Sequence, residues 1–101
     1  MADPTVTDPD KYHVVFENYR VRVLEYRDST GQRTRPHDHP DSVMITMSSF
    51  ERRLVDADGD TREVTLEPGE IRWLGAQTHS GENIGGTQTH VFFVELKHDG
   101  R

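Results

Sequence analysis

The sequence predicts an all-β domain, a sandwich or barrel of short strands. Apolar residues fall in runs of about 4–8 residues, and no window of about 11 residues shows helical periodicity. The runs are separated by turn signals such as Asp58-Gly59, typical of a hairpin, and Pro68-Gly69, typical of a type II turn. A chain of 101 residues has room for one such domain.

Each apolar run between two turn signals is predicted to be one strand. The predicted strands are Tyr12–Glu17, Tyr19–Arg27, Ser42–Met47, Phe50–Asp56, Thr61–Leu66, Glu70–Leu74 and Thr89–Lys97. This number of short strands in one small domain favours a barrel or sandwich. We therefore expect a flexible N-terminal segment at 1–11, the β domain at 12–97 and a C-terminal tail at 98–101.

Composition excludes several classes of function. The net charge is −6, with 18 acidic and 12 basic residues mixed along the chain, so no basic stripe is available to follow a phosphate backbone. We therefore expect no nucleic-acid partner. The chain has no cysteine, which excludes disulfides, thiol nucleophiles and thiolate metal sites. Any metal must be held by nitrogen and oxygen ligands.

Hydropathy argues against a membrane protein. No apolar stretch approaches the roughly 20 residues that a membrane-spanning helix needs. The polar N-terminus lacks the basic start and apolar run of a secretory signal, so we expect a cytoplasmic protein. Only 32% of the residues are hydrophobic, so the core is small, and a bound metal or a dimer interface would help to stabilise it.

Two histidines have the spacing of metal ligands. His37 and His39 lie between Pro36 and Pro40, which favour extended backbone, so both imidazoles are expected on one face. If the same alternation continues, it runs through Val43 and places both histidines on the apolar inner face. Buried imidazoles need partners for their nitrogens, and a metal ion provides one. His79 follows a predicted strand and lies far enough along the chain for antiparallel strands to return it to this pair.

Two segments around these histidines resemble the two sequence motifs of the cupin family. The segment from Gly31 to His39 matches G(X)5HXH, and the segment from Gly69 through Gly75 to Asn83 is similar to the second motif. The chain therefore resembles a small single-domain cupin of the cupin-2 type, whose fold is a double-stranded β-helix or jelly roll. It is most similar to cupins described as associated with β-alanine degradation. The resemblance implies that His37, His39 and His79 bind one divalent metal ion.

The chain departs from the cupin pattern at the acidic ligand. The first motif usually has a glutamate four or five residues after its second histidine, and here those positions hold Val43 and Met44. The alternation places Val43 inside, so we interpret Val43 as the replacement for the glutamate. Asp41 is an alternative ligand. The site is thus expected to hold its metal with three neutral imidazoles and to leave coordination positions open.

An all-imidazole site favours anionic or chelating ligands. We expect an Fe(II)-dependent dioxygenase acting on a small chelating or anionic molecule, because some cupins without the glutamate have this activity. Zn, Ni, Mn and Cu are alternative ions, since imidazole suits several metals. Alternative functions are a Zn- or Ni-dependent isomerase or lyase and a non-catalytic binding module. The resemblance also implies a homodimer.

Further residues are candidates for supporting roles. Asn83 and Asp38 are candidates for orienting the metal-bound imidazoles, and Trp73 is expected in the core or a pocket wall. Tyr12, Tyr19 and Tyr26 are expected to pack, and His13 and His98 to lie at the surface. The candidates for contact with a substrate or for acid–base chemistry are Gln77, Glu82, His90 and Arg52.

Overall fold

The computed structural model of the chain describes residues 2–97, and within them it has one short helix and nine strands. The elements are α1 (Pro4–Thr7), β1 (Tyr12–Glu17), β2 (Val21–Asp28), β3 (His37–His39), β4 (Ser42–Thr46), β5 (Phe50–Asp56), β6 (Thr61–Leu66), β7 (Ile71–Leu74), β8 (Gln77–Asn83) and β9 (Thr89–Leu96). The all-β prediction is confirmed. The predicted tail at 98–101, with His98, lies outside the described residues.

The strands form two sheets whose inner faces enclose one core. The five-stranded sheet has the order β1-β2-β9-β4-β7 and the four-stranded sheet the order β3-β8-β5-β6. Every pairing between these strands is antiparallel. The buried apolar side chains come from both sheets: Tyr12, Leu24, Tyr26, Met44, Phe50, Leu66, Val91 and Phe93. The burial of Tyr12 and Tyr26 confirms that these two tyrosines pack.

The short strand β3 and the strand β8 were not among the predicted strands. Strand β8 is composed mostly of polar residues and contains Gly81, so it lacks the apolar alternation that predicts a strand. It forms nonetheless because it has a partner on each side, β3 and β5, which satisfy its backbone groups. Strand β8 carries His79, so this missed strand is the one that positions the third histidine.

The alternation of buried residues shifts by one position between β3 and β4. His37 and His39 are buried, but in β4 the buried residues are Ser42, Met44 and Thr46. The prediction that Val43 points inward is therefore wrong. The chain passes from one sheet to the other at Pro40-Asp41, and this crossing breaks the strand. Met44, not Val43, occupies the interior position where the first cupin motif would place its glutamate.

The outer face of the five-stranded sheet carries a row of apolar side chains. Trp73 is 59% exposed and Ile71 65% exposed, so the expectation of Trp73 in the core is wrong. Tyr19 is also exposed, contrary to its expected packing. Because both faces of this sheet are apolar, period-two alternation could not identify the inner one. Cross-strand register aligns one residue from each strand on the outer face: Phe16, Val23, Val94, Val43 and Trp73.

The N-terminal residues contact the barrel beside β3. Asp3 caps helix α1, since its Oδ1 accepts from the Thr5 backbone N–H at 2.8 Å. Ala2 bonds to Asp38 twice: its backbone N–H donates to Oδ2 at 2.8 Å, and its carbonyl accepts from the Asp38 N–H at 2.7 Å. These contacts restrain the strand that carries the first two histidines. No helix within residues 2–97 is long and apolar enough to cross a membrane.

Candidate metal centre

The three predicted histidines lie together at one end of the four-stranded sheet. Strands β3 and β8 pair so that His37 is directly opposite His79 and His39 opposite Gln77. The ring centroids lie 4.7–5.0 Å apart. One nitrogen from each ring lies within 4.8 Å of the others, so the group has the spacing needed to hold a metal ion. The prediction that the fold brings these three side chains together is confirmed.

Each of the three rings uses its Nδ1 atom in a hydrogen bond. His37 Nδ1 donates to the Arg35 carbonyl oxygen at 2.7 Å, and His39 Nδ1 lies 3.2 Å from Glu95 Oε2. A carbonyl and a carboxylate can only accept, so both Nδ1 atoms carry the proton. In a neutral imidazole with its proton on Nδ1, the lone pair on Nε2 is the one available to a metal.

His79 reaches the same state through an amide. Its Nδ1 lies 3.0 Å from Gln77 Oε1, and the Gln77 amide nitrogen donates to the Gly75 carbonyl at 3.2 Å. The bond to Gly75 orients the amide, so its oxygen faces the imidazole and accepts a hydrogen bond from Nδ1–H. Gln77, expected near the chemistry, therefore positions a ligand.

The residues present fit a divalent metal ion. His39 Nε2 is fully buried and has no hydrogen-bond partner among the described residues, which is costly for a polar atom. An ion bound at the three Nε2 atoms would satisfy it, as metal-bound histidines usually donate through their other ring nitrogen. The donor set by itself is compatible with several first-row metals.

Burial keeps two of the imidazoles neutral. Desolvation, followed by the nearby His39 ring, lowers the pKa of His37 from 6.5 to about 4. The same causes, desolvation and then His39, lower the pKa of His79 to about 3. Both rings are therefore neutral at pH 7, with a single ring proton, and this is the form in which imidazole binds a metal.

Glu95 was not among the predicted site residues. Its side chain is buried and bridges His39 to Arg22, whose Nε donates to Glu95 Oε1 at 2.9 Å. Arg22 in turn forms an ion pair with Asp3 at 2.9 Å. These contacts hold the His39 ring at its Nδ1 side and link it to the N-terminal segment. The one signal for Glu95 in the sequence was an acidic residue within a run of apolar residues.

Tyr12 was predicted only to pack, yet its hydroxyl lies at the metal centre. The hydroxyl is 3.3 Å from His37 Nε2, the atom that faces the proposed ion. Its ring packs against Tyr26 with centroids 4.5 Å apart. Burial raises the pKa of Tyr12, so the phenol is neutral and can donate a hydrogen bond. No spacing in the sequence connects Tyr12, 25 positions before His37, to the histidine motif.

The structure separates the four residues predicted to support catalysis. Gln77 and Arg52 line the central cavity. His90 points outward and bonds to Glu25 Oε2 at 2.7 Å, so its predicted inward phase is wrong. Glu82 lies away from the cavity, where its carboxylate is 3.8 Å from Arg33. Thr89, Val91, Phe93 and Glu95 are the inward residues of β9.

The other suggested partners of the histidines have different roles. Asp41 accepts a hydrogen bond from the Ala76 backbone N–H at 2.8 Å, and Asp38 bonds to Ala2 and Thr78. Asn83 donates to Asp28 Oδ1 at 3.0 Å. None of these three side chains bonds to an imidazole in the described part of the chain. Asp41 is therefore not placed as a fourth ligand.

Arg52 belongs to a buried polar network that includes Asn83. Its Nη1 donates to Asp28 and, at 3.1 Å, to the Thr89 hydroxyl. Asp28 also accepts from the Tyr26 hydroxyl and from Asn83. The chain makes room for the guanidinium at Gly81, where a Cβ would lie 2.8 Å from Arg52 Nη2.

The central cavity has a volume of about 140 Å³ and mainly apolar walls. His79 and Tyr12 line it, whereas His37 and His39 do not. The metal centre therefore lies at the edge of the cavity, where one imidazole and the Tyr12 hydroxyl face the space that a ligand would fill.

A second group of acidic residues lies on the hairpin between β5 and β6. The carboxyl groups of Asp56, Asp58 and Asp60 lie close enough together to hold an ion. All three residues are exposed, and Asp56 Oδ1 accepts from the backbone N–H groups of Asp58 and Asp60 at 2.9 and 3.0 Å. The turn itself explains this arrangement.

Comparison with solved structures identifies the fold. No family model matches the chain, and no curated protein matches it. A cupin domain from Bordetella pertussis Tohama I is 26% identical with a TM-score of 0.77, over 85% of this chain and 91% of that one. The fold is the cupin double-stranded β-helix.

Other solved structures superpose at lower identity. A Klebsiella pneumoniae protein with a double-stranded β-helix domain is 22% identical with a TM-score of 0.69, over 89% of this chain and 78% of that one. The polyketide cyclase RemF from Streptomyces resistomycificus is 22% identical with a TM-score of 0.62, over 84% of this chain and 63% of that one. At these identities the likeness concerns the fold. The narrower resemblance to cupins associated with β-alanine degradation stays a prediction.

Proposed function

We propose that this cupin domain is a metalloenzyme whose ion is held by His37, His39 and His79 through their Nε2 atoms. One observation carries the proposal. The Nδ1 atoms of all three rings are engaged by acceptors, one nitrogen of each ring lies within 4.8 Å of the others, and the buried Nε2 of His39 has no hydrogen-bond partner among the described residues. A purely structural cluster would leave that atom unsatisfied at a cost of roughly 1–3 kcal/mol.

We propose Fe(II) as the ion and a dioxygenase-like reaction on a small chelating or anionic molecule. Met44 stands inward where the family pattern would place a carboxylate, so the described ligands are three neutral imidazoles. Fe(II) held in this way supplies a centre for O2 chemistry with positions open for a substrate. An uncompensated positive charge at the site favours an anionic ligand.

The residues around the centre have distinct proposed roles. The neutral Tyr12 hydroxyl donates a hydrogen bond to an oxygen atom of the ligand bound beside His37. Gln77 and Glu95 hold the imidazoles of His79 and His39 in one orientation. The apolar walls limit the access of water to this space, which strengthens each of these polar interactions.

Two alternatives use the same cavity. A Zn- or Ni-dependent isomerase or lyase finds some support in the fold of RemF, a polyketide cyclase. Such chemistry needs a general acid or base, and neither a carboxylate nor a histidine other than His79 lines the cavity in residues 2–97. A non-catalytic binding module would bind metal and ligand without turnover.

Metal analysis and oxygen uptake test these proposals together. Purified protein should contain one divalent ion per chain, and with Fe(II) it should consume O2 when supplied with a diketone, a thiol or a small keto acid. The Tyr12→Phe variant should keep its metal and lose turnover, because only the hydroxyl is removed. Stoichiometric metal without oxygen uptake on the whole panel would contradict the dioxygenase and favour the binding module.

We also propose that the protein forms a homodimer through the outer face of the five-stranded sheet. Apolar residues of all five strands line up there, and those at its two edges, Phe16 and Trp73, are 55% and 59% exposed. Patches of this kind mark interfaces, and a twofold axis would pair the face with itself. Trp73→Glu should convert the dimer to a monomer in light scattering, whereas Thr65→Glu, exposed on the other sheet, should not.

A further inference from the structure

The walls of the cavity differ in charge from the rest of the molecule. The chain has 18 acidic and 12 basic residues, yet the charged side chains lining the cavity are Arg52, Arg62 and Arg72, without any aspartate or glutamate from the described residues. Low-dielectric walls that carry one sign of charge concentrate ions of the opposite sign. The lining therefore favours an anionic ligand, although the protein as a whole has a negative net charge.

Arg62 and Arg72 approach the cavity from the edges of the two sheets. Arg62 is on β6, the edge strand of the four-stranded sheet, opposite Leu54; Arg72 is on β7, the edge strand of the five-stranded sheet, opposite Met44. Both of these partner residues line the cavity as well. The two guanidinium groups therefore reach the cavity from separate sheets.

The two arginines have capacity for a further partner. Arg62 forms no ion pair or hydrogen bond through its side chain with residues 2–97, and Arg72 donates from Nη2 to Glu70 at 3.0 Å. Arg62 also lines a neighbouring depression together with His79 and Gln77, so it adjoins the metal centre. Arg52 differs, because Asp28 already matches its charge.

The remaining walls and the volume limit what fits. Most other side chains of the lining are apolar, among them Phe50, Leu54, Val64, Leu66, Leu74 and Phe93. The volume of about 140 Å³ is close to that of an engineered cavity of about 150 Å³ that binds benzene. A ligand therefore has a compact apolar middle.

We propose that the cavity binds a short-chain carboxylic acid, with its carboxylate held by Arg62 and Arg72 and an oxygen-bearing group directed toward His79 and Tyr12. Guanidinium groups match a carboxylate in geometry and charge. The contact at the histidine end rests on the proposed function; the carboxylate contact does not, because it needs no metal. The ligand is thus polar at both ends and apolar between them.

Calorimetric titration with 4-oxopentanoate and its methyl ester tests the proposal. The two probes share a carbon chain and a keto group, and they differ in charge and by the methyl group of the ester. The acid should bind at least tenfold more tightly than the ester, since hydrogen bonds between charged groups contribute more than neutral ones. Arg62→Gln and Arg72→Gln should each weaken binding of the acid about tenfold and leave the ester unchanged. Both residues are exposed, so neither substitution should impair folding.

Arg53→Gln is the matched control. Arg53 is on the neighbouring strand β5, exposed and paired with Glu63 at 3.1 Å, and it does not line the cavity. Equal affinities for acid and ester, absence of binding by the acid, or equal losses in Arg53→Gln and Arg62→Gln would overturn the proposal.

Titration of the metal-free protein separates this inference from the proposed function. If the protein binds no metal but still prefers the acid to the ester, the metalloenzyme is wrong and the carboxylate site stands. If it binds one metal per chain and shows no preference, the carboxylate site is wrong and the metal centre stands.

Discussion

Two buried polar clusters lie in this barrel, and they differ in how completely they are satisfied. In the Arg52 network, the charge of Arg52 is matched by Asp28, whose oxygens also accept from Tyr26 and Asn83. In the histidine cluster, the Nδ1 atoms have partners but the Nε2 of His39 has none. A closed network contributes to stability and specifies the fold, whereas an open one is ready for a ligand. Substitutions should therefore affect stability in the first and metal binding in the second.

The largest effect on stability is expected from Arg52→Met. The substitution leaves Asp28 buried without its cation, which should lower the free energy of unfolding by about 3–5 kcal/mol. Urea unfolding of the metal-free protein measures this. Arg53→Met, exposed beside it, should change stability by less than about 0.5 kcal/mol. Adding Asp28→Asn to Arg52→Met should recover part of the loss, and equal effects of the two arginine variants would contradict a closed network.

His79→Ala should produce the opposite pattern. The free energy of Zn²⁺ binding to structural sites with four protein ligands is roughly 10–16 kcal/mol. Because each ligand contributes a share of it, loss of one ligand should weaken metal binding about a hundredfold or more. The stability of the metal-free protein should change little, because Nε2 of His79 makes no contact that the fold depends on. Chelator competition gives the affinity. His90→Ala, on the outer face, is the control, and metal affinity that is unchanged in His79→Ala would show that the ligands are assigned wrongly.

Glu95→Gln should have a smaller effect on the same affinity. The variant keeps an acceptor for His39 Nδ1 but removes the negative charge that makes the imidazole a stronger ligand, so metal binding should weaken about tenfold. Chelator competition again provides the measurement, with Glu82→Gln as an exposed control on β8. If both variants bind metal as the parent does, Glu95 acts only on packing.

The strands and two of the ligands were predictable because they depend on local pattern. The bounds of β1, β5 and β6 agree with the apolar runs, and extended backbone between prolines placed His37 and His39 on one face. Strand β8 was missed because tertiary pairing, not propensity, stabilises its polar residues. Its absence from the prediction left the position of His79 dependent on family resemblance.

Features that depend on distant contacts were not predictable. The shift of alternation at Pro40-Asp41 arises where the chain changes sheets. The sequence therefore could not show that Met44, rather than Val43, is the interior residue. Glu95 is 56 positions from His39, and Tyr12 is 25 from His37. Glu95, which bonds to His39, and Tyr12, whose hydroxyl lies beside His37, come from β9 and β1, which no spacing rule connects to the histidine motif.

The last prediction concerns pH, and it distinguishes the open cluster from the closed one. Burial lowers the pKa of His37 to about 4 and of His79 to about 3 in the folded state, whereas both are near 6.5 in the unfolded chain. Below pH 6.5 the unfolded chain therefore binds more protons, and the metal-free protein loses stability as pH falls toward 4. The melting temperature should be constant above pH 7 and fall between pH 6.5 and 4.5. His79→Gln should reduce this slope, but His13→Gln, an exposed histidine, should not; a slope that is the same in both variants would show that the buried imidazoles do not cause it.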